Sequence, residues 1–182
     1  MRPLILLTAT AASLGVALAG CVPKDAPVPA ALMGEATPTT RDPYVAMAAA
    51  GDLYEIQSSQ IARTRAASRA VRDFAQMLVV DHTETSRQLM IGARFAGMPP
   101  VTPVLLPMQQ QMLDQLRAAP AGAGFDRVYL DQQVQAHQTA LALHSNYAGH
   151  GDSPPLRQVA GAAAPIVQQH LDRVRQLASS GG

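Results

Sequence analysis

Apolar residues recur at alternating steps of three and four along most of the chain, the spacing that places side chains on one face of an α-helix. This pattern predicts helices at about 43–65, 68–95, 106–119, 124–148 and 152–179. Glycine and proline separate these segments, as in the stretch Gly-Met-Pro-Pro at 97–100. No stretch shows the pattern of a β-strand. We therefore predict an all-α fold, an antiparallel four-helix bundle with one extra short helix.

The segment before the first helix has a different character. Residues 22–43 are rich in Pro, Ala and Thr and show no sustained period, which is typical of an extended tether. Asp42 followed by Pro43 resembles a helix N-cap with proline at the first helical position. We predict a leader at 1–20, a lipidated cysteine and tether at 21–41, and the bundle at 42–179.

The composition agrees with a single helical domain and excludes one class of binding partner. The 182 residues are 48% hydrophobic and 4% aromatic, without Trp, which suits helices more than sheets. The whole chain has 14 Lys and Arg against 13 Asp and Glu, so loss of Arg2 with the leader makes it neutral. A neutral chain with scattered arginines lacks the basic surface that nucleic acid requires, and we exclude that class of partner.

The amino terminus predicts export and lipid attachment. It contains Arg2, an apolar stretch and then small residues, a pattern typical of a signal peptide and too short for a membrane span. The sequence Leu-Ala-Gly-Cys at 18–21 resembles the bacterial lipobox, in which the leader is cut before the cysteine that receives the lipid. An ordinary leader with an incidental Cys21 is the alternative. Because Val22 follows the cysteine, the resemblance implies anchoring at the outer membrane, facing the periplasm or the cell surface.

Polar residues interrupt the apolar faces of the long helices. Four of the five histidines lie on core-facing positions, whereas the fifth, His150, stands between two glycines and is predicted in a loop. Glu55 lies among small residues on the first helix and can also face inward. We therefore predict that the core contains a polar layer with one ligand from each long helix, namely Glu55, His82, His137 and His170, with His144 and Asp81 in reserve.

Such a layer has two chemical solutions. A buried imidazole needs partners for both ring nitrogens, and a bound transition metal is one way to satisfy them. A hydrogen-bonded layer without metal is the other. His-rich, carboxylate-poor ligand sets suit Zn or Cu better than Fe, so those two ions come first.

Four stretches of the chain, taken in order, carry a family resemblance. They are AAAGDLYEIQSSQIA, VRDFAQMLVVDHTETSRQL, GFDRVYLDQQVQAHQTALALH and LRQVAGAAAPIVQQHLDRV. Over about 42–178 the chain resembles a bacterial family of exported ferritin-like proteins, described as a domain of unknown function or as "predicted outer membrane protein". The resemblance implies a ferritin-like bundle at the cell envelope, without a settled activity.

The residues do not support di-iron chemistry. Di-iron carboxylate bundles use Glu-x-x-His from two helices, and that motif does not occur in this chain. We assign no catalytic residue and do not expect an enzyme. The leading hypothesis is an envelope lipoprotein that binds one transition-metal ion in its core. The alternatives are a non-catalytic interaction or scaffold module, whose protein partner the sequence does not identify, and a redox enzyme that uses the bound metal.

Overall fold

The computed structural model describes residues 37–180, and every regular secondary-structure element within them is an α-helix. The helices are α1 (Arg41–Arg65), α2 (Arg69–Phe95), α3 (Pro107–Ala118), α4 (Ala123–His150) and α5 (Pro154–Ser180). They agree with the predicted segments to within two residues at each end. His150 differs from its prediction, because it is the last residue of α4 and not part of a loop. Its Nδ1 atom lies 3.1 Å from the carbonyl oxygen of Asn146, so the side chain contacts a backbone group in the last turn of α4.

The four long helices form an antiparallel bundle in which α1 packs on α2 and α4, and α5 packs on α4 and α2. A long crossover from residue 96 to residue 122 connects α2 to α4 and contains α3. This short helix packs on α1 and α4 and covers the seam between them. The opposite seam, between α2 and α5, has no such cover among the described residues. The predicted antiparallel four-helix bundle with one extra short helix is confirmed.

Polar side chains fix the end of the bundle where α1 turns into α2. The carboxylate of Asp126 accepts hydrogen bonds from the backbone N–H groups of Ala67 and Ser68, at 2.9 and 2.8 Å. Arg65 donates to carbonyl groups at the end of α3, including that of Ala119 at 2.8 Å. Helix ends leave such backbone groups without partners, so these contacts tie α1, α2, α3 and α4 together.

Two apolar clusters lie at the ends of the bundle core with a polar layer between them, and a third, of Tyr54, Met112 and Leu113, packs α3 on α1. The cluster near the α1–α2 turn contains Phe74, Leu78 and Phe125. The cluster at the other end contains Tyr44 and Leu156. The histidine positions of α2, α4 and α5 lie between these two clusters, so the polar layer has apolar packing above and below it.

The chain joins the bundle before the first helix begins. The Asn146 side chain donates to the carbonyl groups of Thr37 and Pro38, and the backbone N–H of Asp152 donates to Thr39. The last residues of the predicted tether therefore pack against the α4–α5 end. Cys21, the leader and most of the tether lie outside the described residues. Within residues 37–180 no helix combines the length and apolar character needed to cross a membrane.

Candidate metal centre

Three histidines from three helices meet in the polar layer. His82 comes from α2, His137 from α4 and His170 from α5, and their side chains are buried, with 3%, 1% and 4% of the residue surface exposed. One nitrogen of each ring lies within 4.8 Å of the corresponding nitrogen of the other two. The ring centroids are 5.4 to 5.6 Å apart. We call these three residues the histidine triad.

Each ring of the triad is held through its outer nitrogen by an oxygen atom. A backbone carbonyl or an ionised carboxylate can only accept a hydrogen bond, so the nitrogen that faces it carries the proton. The other nitrogen then has a free lone pair, which is the form of imidazole that binds metal. The three contacts are His82 Nδ1 to Asp52 Oδ1 at 2.8 Å, His137 Nδ1 to Gln133 O at 2.9 Å, and His170 Nε2 to Asp81 Oδ2 at 3.0 Å.

The inner nitrogens face one another without a donor between them. His82 Nε2, His137 Nε2 and His170 Nδ1 are buried and have no hydrogen-bond partner among the described residues. Buried polar atoms without a partner are rare and costly, by about 1–3 kcal/mol each. A metal ion or a proton between the three rings would satisfy these converging lone pairs. The donor set therefore fits a bound cation.

Glu55 lies beside the triad and not among its inner nitrogens. Its Oε1 atom is 3.6 Å from the outer nitrogen of His137, and its Oε2 atom is buried without a partner. Burial raises the pKa of Glu55 to about 7, and the positive charge of His82 opposes that rise. The sequence placed Glu55 in the ligand set. In the structure the Glu55 side chain is buried, and its carboxyl group lies on the outer side of His137.

The electrostatics of the layer favour neutral imidazoles on α4 and α5. Burial, together with the charges of His82 and His170, lowers the pKa of His137 to about 3. Burial and the charge of His82 also lower the pKa of His170. Burial alone would lower the pKa of His82, but the hydrogen bond to Asp52 and the charge of Glu55 raise it above its ordinary value. Without a metal ion, a proton within the triad would therefore reside on His82.

The two reserve ligands have other contacts. His144 is buried two turns from His137, and its Nδ1 atom is hydrogen-bonded to the hydroxyl of Tyr44 at 3.1 Å. It is not part of the triad. Asp81 is the partner of His170, and its side chain is 37% exposed. Its partner therefore comes from α5.

Sequence reasoning missed the role of Asp52. Its Oδ1 atom accepts hydrogen bonds from both His82 and Thr85, and the residue is buried on α1. The available signal was its position three residues before Glu55, on the same helix face. That spacing shows which face Asp52 occupies, but not which imidazole of another helix lies opposite.

Comparisons with known proteins agree with this fold and leave the activity open. The model of a family described as a domain of unknown function (DUF4142) matches residues 26–177. A comparison with curated protein sequences finds no match.

Solved structures that resemble the chain include one described as "CopM in the Cu(II)-bound form". It has a TM-score of 0.66 and 17% identity, over 78% of this chain and 97% of that chain. "CopM in the Cu(I)-bound form" has a TM-score of 0.66 and 18% identity, over 78% and 96%. A fragment of a DUF305 protein from Deinococcus radiodurans has a TM-score of 0.65 and 16% identity, over 77% and 95%. At these identities the likeness shows a shared helical-bundle fold.

Proposed function

We propose that this chain, which belongs to the DUF4142 family, a domain of unknown function, binds one transition-metal ion at its histidine triad. Among the candidate ions we expect copper to bind most tightly, followed by zinc. The three inner nitrogens supply the ligands. Asp52, Gln133 and Asp81 hold the rings and set their tautomers.

The orientation of the three rings carries this proposal. Each imidazole is fixed by an acceptor on its outer nitrogen, so each inner nitrogen presents a lone pair to the same small volume. Metal-binding histidines in proteins almost always have this second contact to a carboxylate or carbonyl oxygen. A layer built only for hydrogen bonding would place a donor opposite each acceptor.

Two considerations favour copper over zinc. The similar bundle of CopM has been solved with Cu(I) and with Cu(II) bound, so a fold of this kind accommodates copper in both oxidation states. Imidazole nitrogen is a good ligand for Cu, Zn and Fe alike, and site affinities among divalent ions peak at copper. The low carboxylate content of the triad speaks against iron.

We also propose that lipid on Cys21 anchors the domain at the outer membrane. This rests on the lipobox at the end of the leader. Replacing residues 1–21 with an ordinary export leader, which is cut without a lipobox cysteine, should shift the protein from the membrane fraction to the soluble periplasmic fraction. An unchanged distribution of this leader-exchanged protein would contradict lipid anchoring.

A specific observation favours one alternative function. The short contact between His82 and Asp52, together with the raised pKa of His82, would allow a protonated His82 to donate to an inner nitrogen of a neighbouring ring. The domain would then be a non-catalytic interaction or scaffold module with a charged, hydrogen-bonded core.

Metal stoichiometry separates the two functions. The leader-exchanged protein would be exported, purified without metal-affinity resin and dialysed in turn against Cu, Zn and Fe. We expect about one copper per chain, lost in both His82→Ala and His170→Ala variants that keep the helical fold. Retention of less than a tenth of an equivalent, with loss of thermal stability as the only effect of both substitutions, would favour the hydrogen-bonded layer.

A further inference from the structure

A groove runs along the seam between α2 and α5, the side of the bundle that α3 does not cover. It has a volume of about 590 Å³. Its outer end lies between Phe95 and Pro155, and its inner end is lined by Thr85, Ala162 and Ile166. The inner end combines small and polar side chains, because Ala162 and Ala163 leave space opposite Thr85 and Gln88.

The two walls of this groove lead to the histidine triad. On α2 the lining positions step by three or four residues from Phe95 back to Glu84, and the next position on that stripe is Asp81. On α5 they step from Pro155 to Ile166, and the next position is His170. The Asp81–His170 hydrogen bond of 3.0 Å joins the two helices about one helical turn beyond the last lining residues of the groove.

The α1–α4 side of the triad is less exposed to solvent than the α2–α5 side. The α1–α4 side is covered by α3, and the residues next to the triad on that side, Glu55 and Gln133, are buried. Among the outer partners of the triad, Asp81 has the most exposed side chain. One hydrogen bond at the end of the groove therefore separates a ligand of the triad from solvent.

Thr85 provides a second link between the groove and the triad. It lines the groove, and its hydroxyl donates to Asp52 Oδ1 at 3.0 Å, the same oxygen that holds His82 at 2.8 Å. The inner end of the groove thus contacts the outer partner of His82 and lies about one helical turn from the outer partner of His170.

We propose that the inner end of the α2–α5 groove is the route by which the metal ion enters and leaves the triad, with the Asp81–His170 pair as its gate. This inference rests on the proposed metal function. When the Asp81 side chain turns toward solvent, its carboxylate can meet the cation outside, and His170 is released to turn its ring. Return of the carboxylate restores the hydrogen bond and fixes the His170 nitrogen on the ion.

The test is the rate of ion exchange, measured with Cu(II) alone as the probe. The chain has four Tyr and no Trp, so quenching of tyrosine fluorescence in a stopped-flow instrument reports Cu(II) uptake, and transfer to EDTA reports release. Ala162→Phe would fill the inner end of the groove. Ala178→Phe makes the same change at an exposed position near the end of α5, away from the groove, and is the matched control.

A blocked route slows entry and exit by the same factor and leaves the equilibrium constant unchanged. For A162F we expect both rates to fall about tenfold or more, equivalent to about 1.4 kcal/mol on each barrier, with an unchanged Kd. A178F should keep wild-type rates. Asp81→Ala removes the gate, so its release rate should rise at least as strongly as its uptake rate.

Two results would overturn the inference in different ways. If A162F loads and releases Cu(II) at the wild-type rates while the wild type binds one equivalent, the triad is a metal site that ions reach by another route. If the wild type shows no saturable Cu(II) uptake, the proposed metal function fails as well. A folded A162F variant with a weakened Kd but an unchanged uptake rate would also contradict the route, because blocking cannot alter affinity alone.

Discussion

Replacing Asp52 with Ala is the perturbation that separates a metal centre from a structural histidine layer. Asp52 Oδ1 accepts hydrogen bonds from His82 Nδ1 at 2.8 Å and from Thr85 Oγ1 at 3.0 Å, and the residue is buried. Its loss frees the outer nitrogen of His82, so the ring can rotate and exchange tautomers. The inner nitrogen then no longer points reliably at the ion.

The expected magnitude follows from the contacts that are lost. Removing a carboxylate that orients a metal-binding histidine typically lowers metal affinity 10- to 100-fold, which is about 1.4–2.8 kcal/mol. A hydrogen bond to a charged group contributes about 1.5–3 kcal/mol, so the metal-free protein should lose stability of that order as well. The two effects are measured separately, the first by copper competition with a chelator and the second by urea unfolding of the metal-free protein.

The control for D52A is Asp42→Ala, which removes an exposed carboxylate from the same helix. We expect it to change neither copper affinity nor stability by more than about 0.5 kcal/mol. If D52A lowers the stability of the metal-free protein but leaves copper affinity within twofold of the wild type, His82 is not a ligand. The Asp52–His82 pair would then be purely structural.

Three further substitutions test the electrostatics and the packing of the polar layer. Burial raises the pKa of Glu55 to about 7, so the folded state binds a proton at this residue more tightly than the unfolded state does. The resulting contribution to folding stability is fully present below about pH 4.5 and is lost as the pH rises through 7. Glu55→Gln should therefore remove roughly 3 kcal/mol of pH-dependent stability between pH 4.5 and 8, measured by urea unfolding of the metal-free protein, and an unaltered pH profile would contradict that burial cost. Burial lowers the pKa of His144 to about 4, so stability is lost as pH falls from about 6.5 to 4, and His144→Gln should flatten this acid limb by up to about 3 kcal/mol without affecting copper stoichiometry. A Cβ on Gly92 would lie 2.6 Å from Val159 Cγ2, so Gly92→Val should destabilise the α2–α5 contact by about 1–3 kcal/mol in urea, and a stability equal to the wild type would show that the two helices can move apart freely.

The helices were predictable because their apolar faces are long and regular. The apolar stripe of α5 predicts seven core positions, of which Leu156, Ala160, Ala163, Val167, His170 and Val174 are buried and Leu177 is half-buried. The prediction for His150 was wrong because the flanking glycines were taken as a helix end. The structure continues α4 through Gly149 and places the turn at Gly151, whose backbone N–H bonds to the Tyr147 carbonyl.

Three of the four predicted ligands meet in the histidine triad, whereas Glu55 lies beside it. Helical spacing predicted that His82, His137 and His170 face the core. Whether they lie at the same height along the bundle axis depends on the relative shift of the helices, which the spacing does not give. The same uncertainty explains why His144, on the same face of α4 as His137, stood in reserve. It lies two turns nearer the other end of the bundle, where Tyr44 supplies its partner.

The outer partners of the triad were hidden for a different reason. Asp52 and Asp81 are ordinary acidic residues in sequence, and a backbone carbonyl such as that of Gln133 leaves no sequence signal at all. Their roles depend on contacts between residues up to 89 positions apart. Those contacts fix which nitrogen of each imidazole is free.

X-ray absorption spectroscopy of the copper-loaded protein identifies the ligands around the ion and is the sharpest test of a metal centre at the triad. Such a centre predicts three imidazole nitrogens at about 2.0 Å and no sulfur ligand. It also predicts one fewer imidazole in a His137→Ala variant and an unchanged spectrum in a His144→Ala variant. A spectrum with methionine sulfur ligands, or one that H137A leaves unchanged, would place the copper elsewhere on the protein and contradict a metal centre at the triad.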